Sequence, residues 1–219
     1  MRLEEVSKTY REGPVDRPVL RDASLELLAG EMTSLSGVSG SGKSTLISLL
    51  AGLMLPDSGR VIFDGDEINE LDDVARARLR ARRVGVVLQS GNLIPFLTAV
   101  QNVELAMELG DGARDGERAE ELLSGLGLGK RLHHLPRRMS GGEAQRVSVA
   151  MALANEPDLL LADEATGQLD SANAEQVMGA ISDAWRNRGL TVMFVTHNPE
   201  LAARAERRLV LEAGEVRDL

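Results

Sequence analysis

At 219 residues, 43% of them hydrophobic and none of them cysteine, the chain can bury one core without metal or disulfide staples, and a disulfide framework and a thiol nucleophile are excluded. A net charge of −9 and a pI near 5.0 exclude broad nucleic-acid binding, which demands a basic face, but not a single triphosphate held by one loop and one lysine. No apolar run approaches the roughly 18 residues of a spanning helix, and Met1-Arg2-Leu3-Glu4-Glu5 carries acids where a signal peptide needs a basic, then apolar start, so any membrane work is expected to fall to another chain.

In chain order, the first buried strand is predicted over residues 32–36 and leads into Gly37-Val38-Ser39-Gly40-Ser41-Gly42-Lys43-Ser44-Thr45 and a helix over 44–51. Residues 60–63, ahead of Asp64-Gly65, read as an antiparallel strand with a turn. A second apolar strand over 84–88 ends in Gln89, and residues 92–154 then change character, being helical with glycine breaks. Within them, Ala119, Leu122, Leu123 and Leu126 recur at helical spacing over 117–126, after a polar, Gly-rich loop over 110–116. A helix over 147–154 follows Met139-Ser140-Gly141-Gly142-Glu143-Ala144-Gln145-Arg146. Strands over 159–162 and 191–196 follow, and 208–211 before Gly214 reads as another antiparallel strand. The expectation is an α/β fold: a P-loop NTPase core with a mainly parallel sheet, a small antiparallel β layer, and an inserted α-helical subdomain. Residues 1–91 and 155–219 would form the core and 92–154 the insertion.

The 37–45 stretch has the P-loop pattern in its required strand-to-helix context. Glycines let the backbone curl so that N–H groups meet phosphate oxygens, the helix N-terminus adds partial positive charge, Lys43 reaches the outer phosphates, and Ser44 ligates Mg²⁺. The plainer alternative is a Gly/Ser loop before a helix. Asp163 and Glu164 follow the third apolar strand; neighbours diverge at a strand end, so Asp163 suits the Mg²⁺ shell and Glu164 the polarisation of an attacking water. Alone, the pair could equally open a loop. Gln89 and His197 repeat this placement, and in a parallel sheet such ends share the edge where ligands bind. Gln89 fits a Mg²⁺ or water contact and His197 a hydrogen bond to the γ-phosphate, although each taken singly reads as an ordinary strand-end polar residue. Ser140 with Glu143 is a capping box, and Gly141 and Gly142 leave N–H groups open for a second anion.

Ser140-Gly141-Gly142-Glu143 followed by Gln145-Arg146, lying between P-loop and Asp163-Glu164, resembles the signature motif of ABC transporter ATP-binding subunits. The resemblance covers nearly the whole chain. It implies that Tyr10 is the aromatic that stacks on adenine, Gln89 the Q-loop residue, Gly167-Gln168-Leu169-Asp170 the D-loop and His197 the switch histidine. It further implies MgATP hydrolysis in a head-to-tail homodimer, in which each ATP is held by one copy's P-loop and the other's signature helix. A separate membrane permease would place the chain at the cytoplasmic face of the plasma membrane, with a periplasmic adaptor left open. Residues 89–103, 162–167 and 195–200 are similar to the branch of lipoprotein-release, macrolide-export and cell-division ATPases, which implies export or extraction; a non-transporting role that passes force through a membrane partner is the alternative. The apolar stretch 93–100 reads either as the permease dock or as subdomain core. Val38 and Ala165 stand where the branch has proline, and Leu88, Met139, Ala144 and Met151 also depart from its pattern.

Overall fold

In the first 26 residues, buried Leu3, Val6, Leu20, Ala23 and Leu25 set among mostly charged and exposed side chains build a long hairpin, β1 (Arg2–Glu12) and β2 (Val15–Glu26), turned at Gly13. The computed structural model describes residues 1–89, 93–165 and 171–219. After the hairpin come β3 (Met32–Ser36), α1 (Lys43–Leu50), β4 (Ser58–Phe63), β5 (Asp66–Glu67), α2 (Asp73–Arg83) and β6 (Val84–Val87). Three helices follow, α3 (Ala99–Asp111), α4 (Gly116–Gly125) and α5 (Gly141–Leu153). The chain closes with β7 (Leu159–Asp163), α6 (Ser171–Arg188), β8 (Thr191–Val195), α7 (Pro199–Ala202), β9 (Arg207–Glu212) and β10 (Glu215–Asp218).

Two sheets result: an antiparallel one in the order β2-β1-β4-β5, and a larger one in the order β10-β9-β3-β8-β7-β6. In the larger sheet β3 runs parallel to β8 and β9, and β7 parallel to β8 and β6, so only β10 is antiparallel. The strand expected over 208–211 therefore sits in the main sheet beside β3; its antiparallel partner is β10, and the antiparallel layer is built from the N-terminal hairpin and β4–β5. The glycine-rich loop expected over 110–116 is also shorter, because α3 continues through Asp111 and turns at left-handed Gly112.

Strands buried on both faces divide their side chains with period two between the layers they separate. On β7, Leu159 and Leu161 belong to one apolar cluster with α1 residues Leu46, Ile47 and Leu50, which also takes in Leu3, Val6 and Val61 of the small sheet. Leu160 and Ala162 pack on the other side with Val103, Leu123, Val147 and Val177 of α3, α4, α5 and α6. Each fully buried Leu, Ile or Val side chain among them contributes about 1.5–3 kcal/mol. The loop ahead of α3 is knitted by Asn102, which is buried and donates to the carbonyls of Leu97 and Thr98 while accepting from Ile94 N at 2.7 Å. Thr98 and Gln101 form the capping box that starts that helix.

Candidate active site

Between Ser36, the last residue of β3, and Lys43, the first of α1, the chain makes a loop that only glycine can make. Gly37, Gly40 and Gly42 all have positive φ, and Gly42 is the left-handed N-cap of α1 with no side-chain cap. The first N–H groups of the helix are thus left for an anion. A Cβ on Gly42 would fall 2.5 Å from Val19 Cγ1, and one on Gly37 would fall 2.6 Å from the Leu211 carbonyl oxygen, so the loop is pressed between β2 and β9. Lys43 is buried, and its Nζ donates to the carbonyls of Gly37 and Val38 at 2.9 Å each, which engages two of its three protons. Ser41 Oγ is buried without a hydrogen-bond partner among the described residues.

The ends of β6, β7 and β8 lie side by side in the sheet and bring three polar side chains together. Gln89 Nε2 donates to Glu164 Oε2 at 2.8 Å, and His197 Nε2 lies 2.8 Å from Glu164 Oε1. Glu164 has a φ of 50°, a left-handed backbone that costs a side-chain-bearing residue about 1–3 kcal/mol and is tolerated where the surroundings hold it. Asp163, one residue earlier and paired in register with Val195, is buried. Among the described residues no group of three or more His, Cys, Asp and Glu side chains could hold a metal ion. The oxygen donors at hand include the Ser44 hydroxyl, the Gln89 amide and the Glu164 carboxylate, with the buried Asp163 carboxylate one residue before it, a hard set of the kind that fits Mg²⁺ with waters completing its shell.

Tyr10, the loop residues 39–45 except Ser41, Gln89, Glu164 and His197 face one cleft of about 520 Å³. Tyr10 Oη lies 3.3 Å from Thr45 Oγ1, which ties the hairpin to α1. Gly37, Ser41 and Asp163 are not on the cleft wall; Val38 and Ser41 line a neighbouring depression. Two wall residues had no sequence signal, Arg17 and Val19 of β2. They enter the cleft through the pairing of β1 with β2, in which Tyr10 faces Arg17, a register that no local motif encodes. Asp170 and the rest of the 167–170 stretch lie outside the described residues.

Ser140, Gly141, Gly142 and Glu143 are not on this wall. They start α5, where Ser140 Oγ accepts from Glu143 N at 3.2 Å and Glu143 Oε2 accepts from Ser140 N at 2.8 Å. Arg131 Nε donates to Glu143 Oε1 at 2.7 Å. This guanidinium, and then the Ser140 N–H, hold the Glu143 carboxyl below the usual carboxylate range. A Cβ on Gly141 would meet no heavy atom within 4 Å, so the helix start is open to a second molecule. Gln145, one turn on, donates to the carbonyl of Leu88 at 3.4 Å and links this helix to the residue before Gln89.

The glycine loop over an uncapped helix and the carboxylate held by Gln89 and His197 thus share one cleft, and the open helix start at Gly141 lies off its wall. Residues 20–167 match the family described as ABC transporter. The chain belongs to the ABC transporter family. It is an ABC-type ATPase, 43% identical over 218 residues to the macrolide export ATP-binding/permease protein MacB of Syntrophobacter fumaroxidans. That match covers 98% of this chain but only 30% of the relative's length. Two structures of the ATP-binding cassette MJ0796, one described as a dimer and one as a dimeric post-hydrolysis state bound to ADP and Pi, superpose with a TM-score of 0.95 at 39% identity. Each comparison covers 100% of this chain and 97% of the other. Of the departures from the branch pattern, Val38 is 75% exposed, so the cassette loses no packing there, whereas Met139 and Met151 pack against the helical core.

Proposed function

We propose that the cleft binds MgATP and that two copies of the cassette close on two nucleotides, each held between the P-loop of one copy and residues 140–143 of the other. The observation that carries this reading is the Gln89–Glu164–His197 constellation, with both heavy-atom distances at 2.8 Å, facing a glycine loop whose helix has no side-chain cap. The dimeric description of MJ0796 and its ADP and Pi support it. Tyr10 stacks on adenine; Lys43 exchanges loop carbonyls for the outer phosphate oxygens. Ser44, Gln89 and, through water, Asp163 hold Mg²⁺, which when bound neutralises charge on the phosphate oxygens. Glu164 takes the proton of the water whose oxygen attacks the γ-phosphorus as the bond to the β–γ bridging oxygen breaks and ADP leaves, Gln89 orients that water, and His197 donates to the γ-phosphate. Asp170 is assigned to the same composite site. In this reading residues 92–154 are the inserted subdomain that carries the signature helix, with 1–91 and 155–219 as the core.

The cassette then drives an integral membrane permease from the cytoplasmic face, for export or extraction of a lipoprotein, peptide or drug-type substrate. Support comes from the ATP-binding/permease description of the MacB relative and from an apolar groove of about 680 Å³ between α2, β6 and α3, in which Val74 and Leu109 are exposed. In the 93–100 stretch, Leu93 and Val100 pack into the core while Pro95 is exposed and Phe96 is 76% exposed, so Phe96, beside Pro95, is left for a partner. Among the described residues no helix is long and apolar enough to cross a membrane. The test is affinity purification from native membranes, with ATP turnover measured on the product. Co-purification of a multi-span permease that stimulates turnover is expected; a fully active cassette recovered without any membrane protein would count against the reading.

A further inference from the structure

The second strand of the hairpin passes directly over the P-loop, and two of its alternate residues face the loop. Val19 is fixed there: a Cβ on Gly42 would lie only 2.5 Å from its Cγ1. Two residues earlier in a strand brings the next side chain to the same face, and Arg17 Nη2 lies 3.7 Å from where a Cβ on Gly40 would be. Arg17 is opposite Tyr10 in the register of β1 and β2. Tyr10 leans toward the helix end of the loop, with its hydroxyl 3.3 Å from Thr45 Oγ1, and Arg17 leans toward the crest. Among the described residues that line the cleft, Arg17 and Lys43 are the two permanent cations, in a chain whose net charge is −9.

An exposed arginine on an acidic protein ordinarily makes a solvated ion pair of little energetic value. Placement gives this one a role beside any such pairing, since the close contact of Val19 with Gly42 fixes the strand's distance from the loop. A guanidinium presents a rigid fork of donors suited to phosphate oxygens, and a phosphate chain lying on the loop N–H groups would run beside it. We propose that Arg17 is a phosphate-binding residue of this cassette, which reaches the nucleotide's polyphosphate over Gly40 from the hairpin and not from the P-loop. The hairpin would then read both ends of the ligand, the base through Tyr10 and the phosphates through Arg17. The proposal rests on the reading of the cleft as the MgATP site.

The experiment titrates the full chain with MgATP and with magnesium tripolyphosphate, a probe that has phosphates and no base. Wild type, Arg17→Ala, Arg17→Gln, Arg17→Lys and Lys43→Ala are compared, with melting temperatures measured alongside. Because the side chain is exposed, Arg17→Ala and Arg17→Gln should weaken both ligands by about three- to tenfold at low salt, less at high salt, while Arg17→Lys keeps most of the affinity. Unchanged melting temperatures with this pattern support the proposal. If Arg17→Gln binds ATP as wild type does while Lys43→Ala loses it, the proposal is overturned and the cleft reading stands. If Arg17→Gln weakens ATP but not tripolyphosphate, Arg17 reads the base and the proposal is overturned. If neither Arg17→Gln nor Lys43→Ala alters ATP affinity, both the proposal and the cleft reading fall.

Discussion

His197 Nε2 lies 2.8 Å from Glu164 Oε1, across the adjacent carboxyl ends of β8 and β7. The other carboxylate oxygen accepts from Gln89, which is 75 residues away in sequence, so both Glu164 oxygens are positioned before any ligand arrives. A carboxamide keeps this shape but cannot take a proton, and a general base contributes typically about 10²- to 10⁴-fold. Glu164→Gln is expected to bind ATP with near-wild-type affinity and to lose about that factor in single-turnover hydrolysis. His197→Ala should lower turnover with a smaller effect on affinity. Near-normal turnover by Glu164→Gln would move the base elsewhere, with His197 the next candidate.

Two glycines of the P-loop should respond differently to the same methyl. Gly40 has a φ of 77° and open space, with Arg17 Nη2 at 3.7 Å as the nearest atom to a new Cβ. Gly40→Ala therefore carries only the left-handed backbone cost, about 1–2 kcal/mol. Gly42 has a φ of 105° and would also drive its Cβ to 2.5 Å from Val19 Cγ1 and 3.2 Å from the Val19 carbonyl oxygen. Gly42→Ala should destabilise more than Gly40→Ala and displace the N-terminus of α1, with a larger loss of ATP affinity. Denaturation midpoints and ATP titration of the two variants check the order, and equal effects would mean that β2 does not press on the loop.

Much of this site was legible because its parts are local strings joined by one topological rule. The P-loop, Asp163-Glu164, Gln89 and His197 each follow an apolar strand, and parallel strands put their carboxyl ends on one edge. Arg17 was not legible, since β2 is mostly exposed and enters the cleft only through its pairing with β1. α2 was hidden for a related reason: five of its eleven residues are arginine and none is buried, so its stripe of Val74, Ala77 and Ala81 is too sparse to stand out as an apolar run. The antiparallel hairpin of β9 with β10 was legible as a local signal, whereas the parallel pairing of β9 with β3, far away in the chain, was not. The Ser140–Glu143 capping box was readable in full, but its partner Arg131 depends on how the loop before α5 folds back.

That pair gives a pH prediction with a definite sign. Arg131 first, and the Ser140 N–H second, depress the Glu143 carboxyl below its ordinary range in the folded chain. In the unfolded chain it returns to about 4.3. Below that value the unfolded state binds the proton first, so the stabilisation is complete at neutral pH and is lost as pH falls through the depressed folded value. Glu143→Gln should therefore be less stable than wild type at pH 7, with the gap narrowing in acid. Urea midpoints of both proteins at neutral pH and at about pH 3.5, below the unfolded glutamate value, measure it. A gap that does not change with pH would show that the carboxylate charge is not what holds this helix start.

The start of α5 is also where the composite-site reading can be tested directly. Ser140 is exposed, Gly141 has no heavy atom within 4 Å of an added Cβ, and neither residue lies on the wall of the cleft that contains Lys43. A substitution there should leave the chain's own P-loop intact and act only when a second copy supplies the other half of the site. Ser140→Arg is therefore expected to bind ATP as an isolated chain with wild-type affinity, to remain monomeric with ATP, and to be inactive. A ligand that binds only the closed pair pulls association by mass action, so Glu164→Gln should sediment as a dimer with ATP and the double variant Ser140→Arg/Glu164→Gln should not. Mixing Ser140→Arg with Lys43→Ala chains should restore at most one working site per pair. Sedimentation velocity and turnover of these mixtures decide it: a Ser140→Arg monomer that hydrolyses ATP at the wild-type rate would mean that each chain carries a complete site.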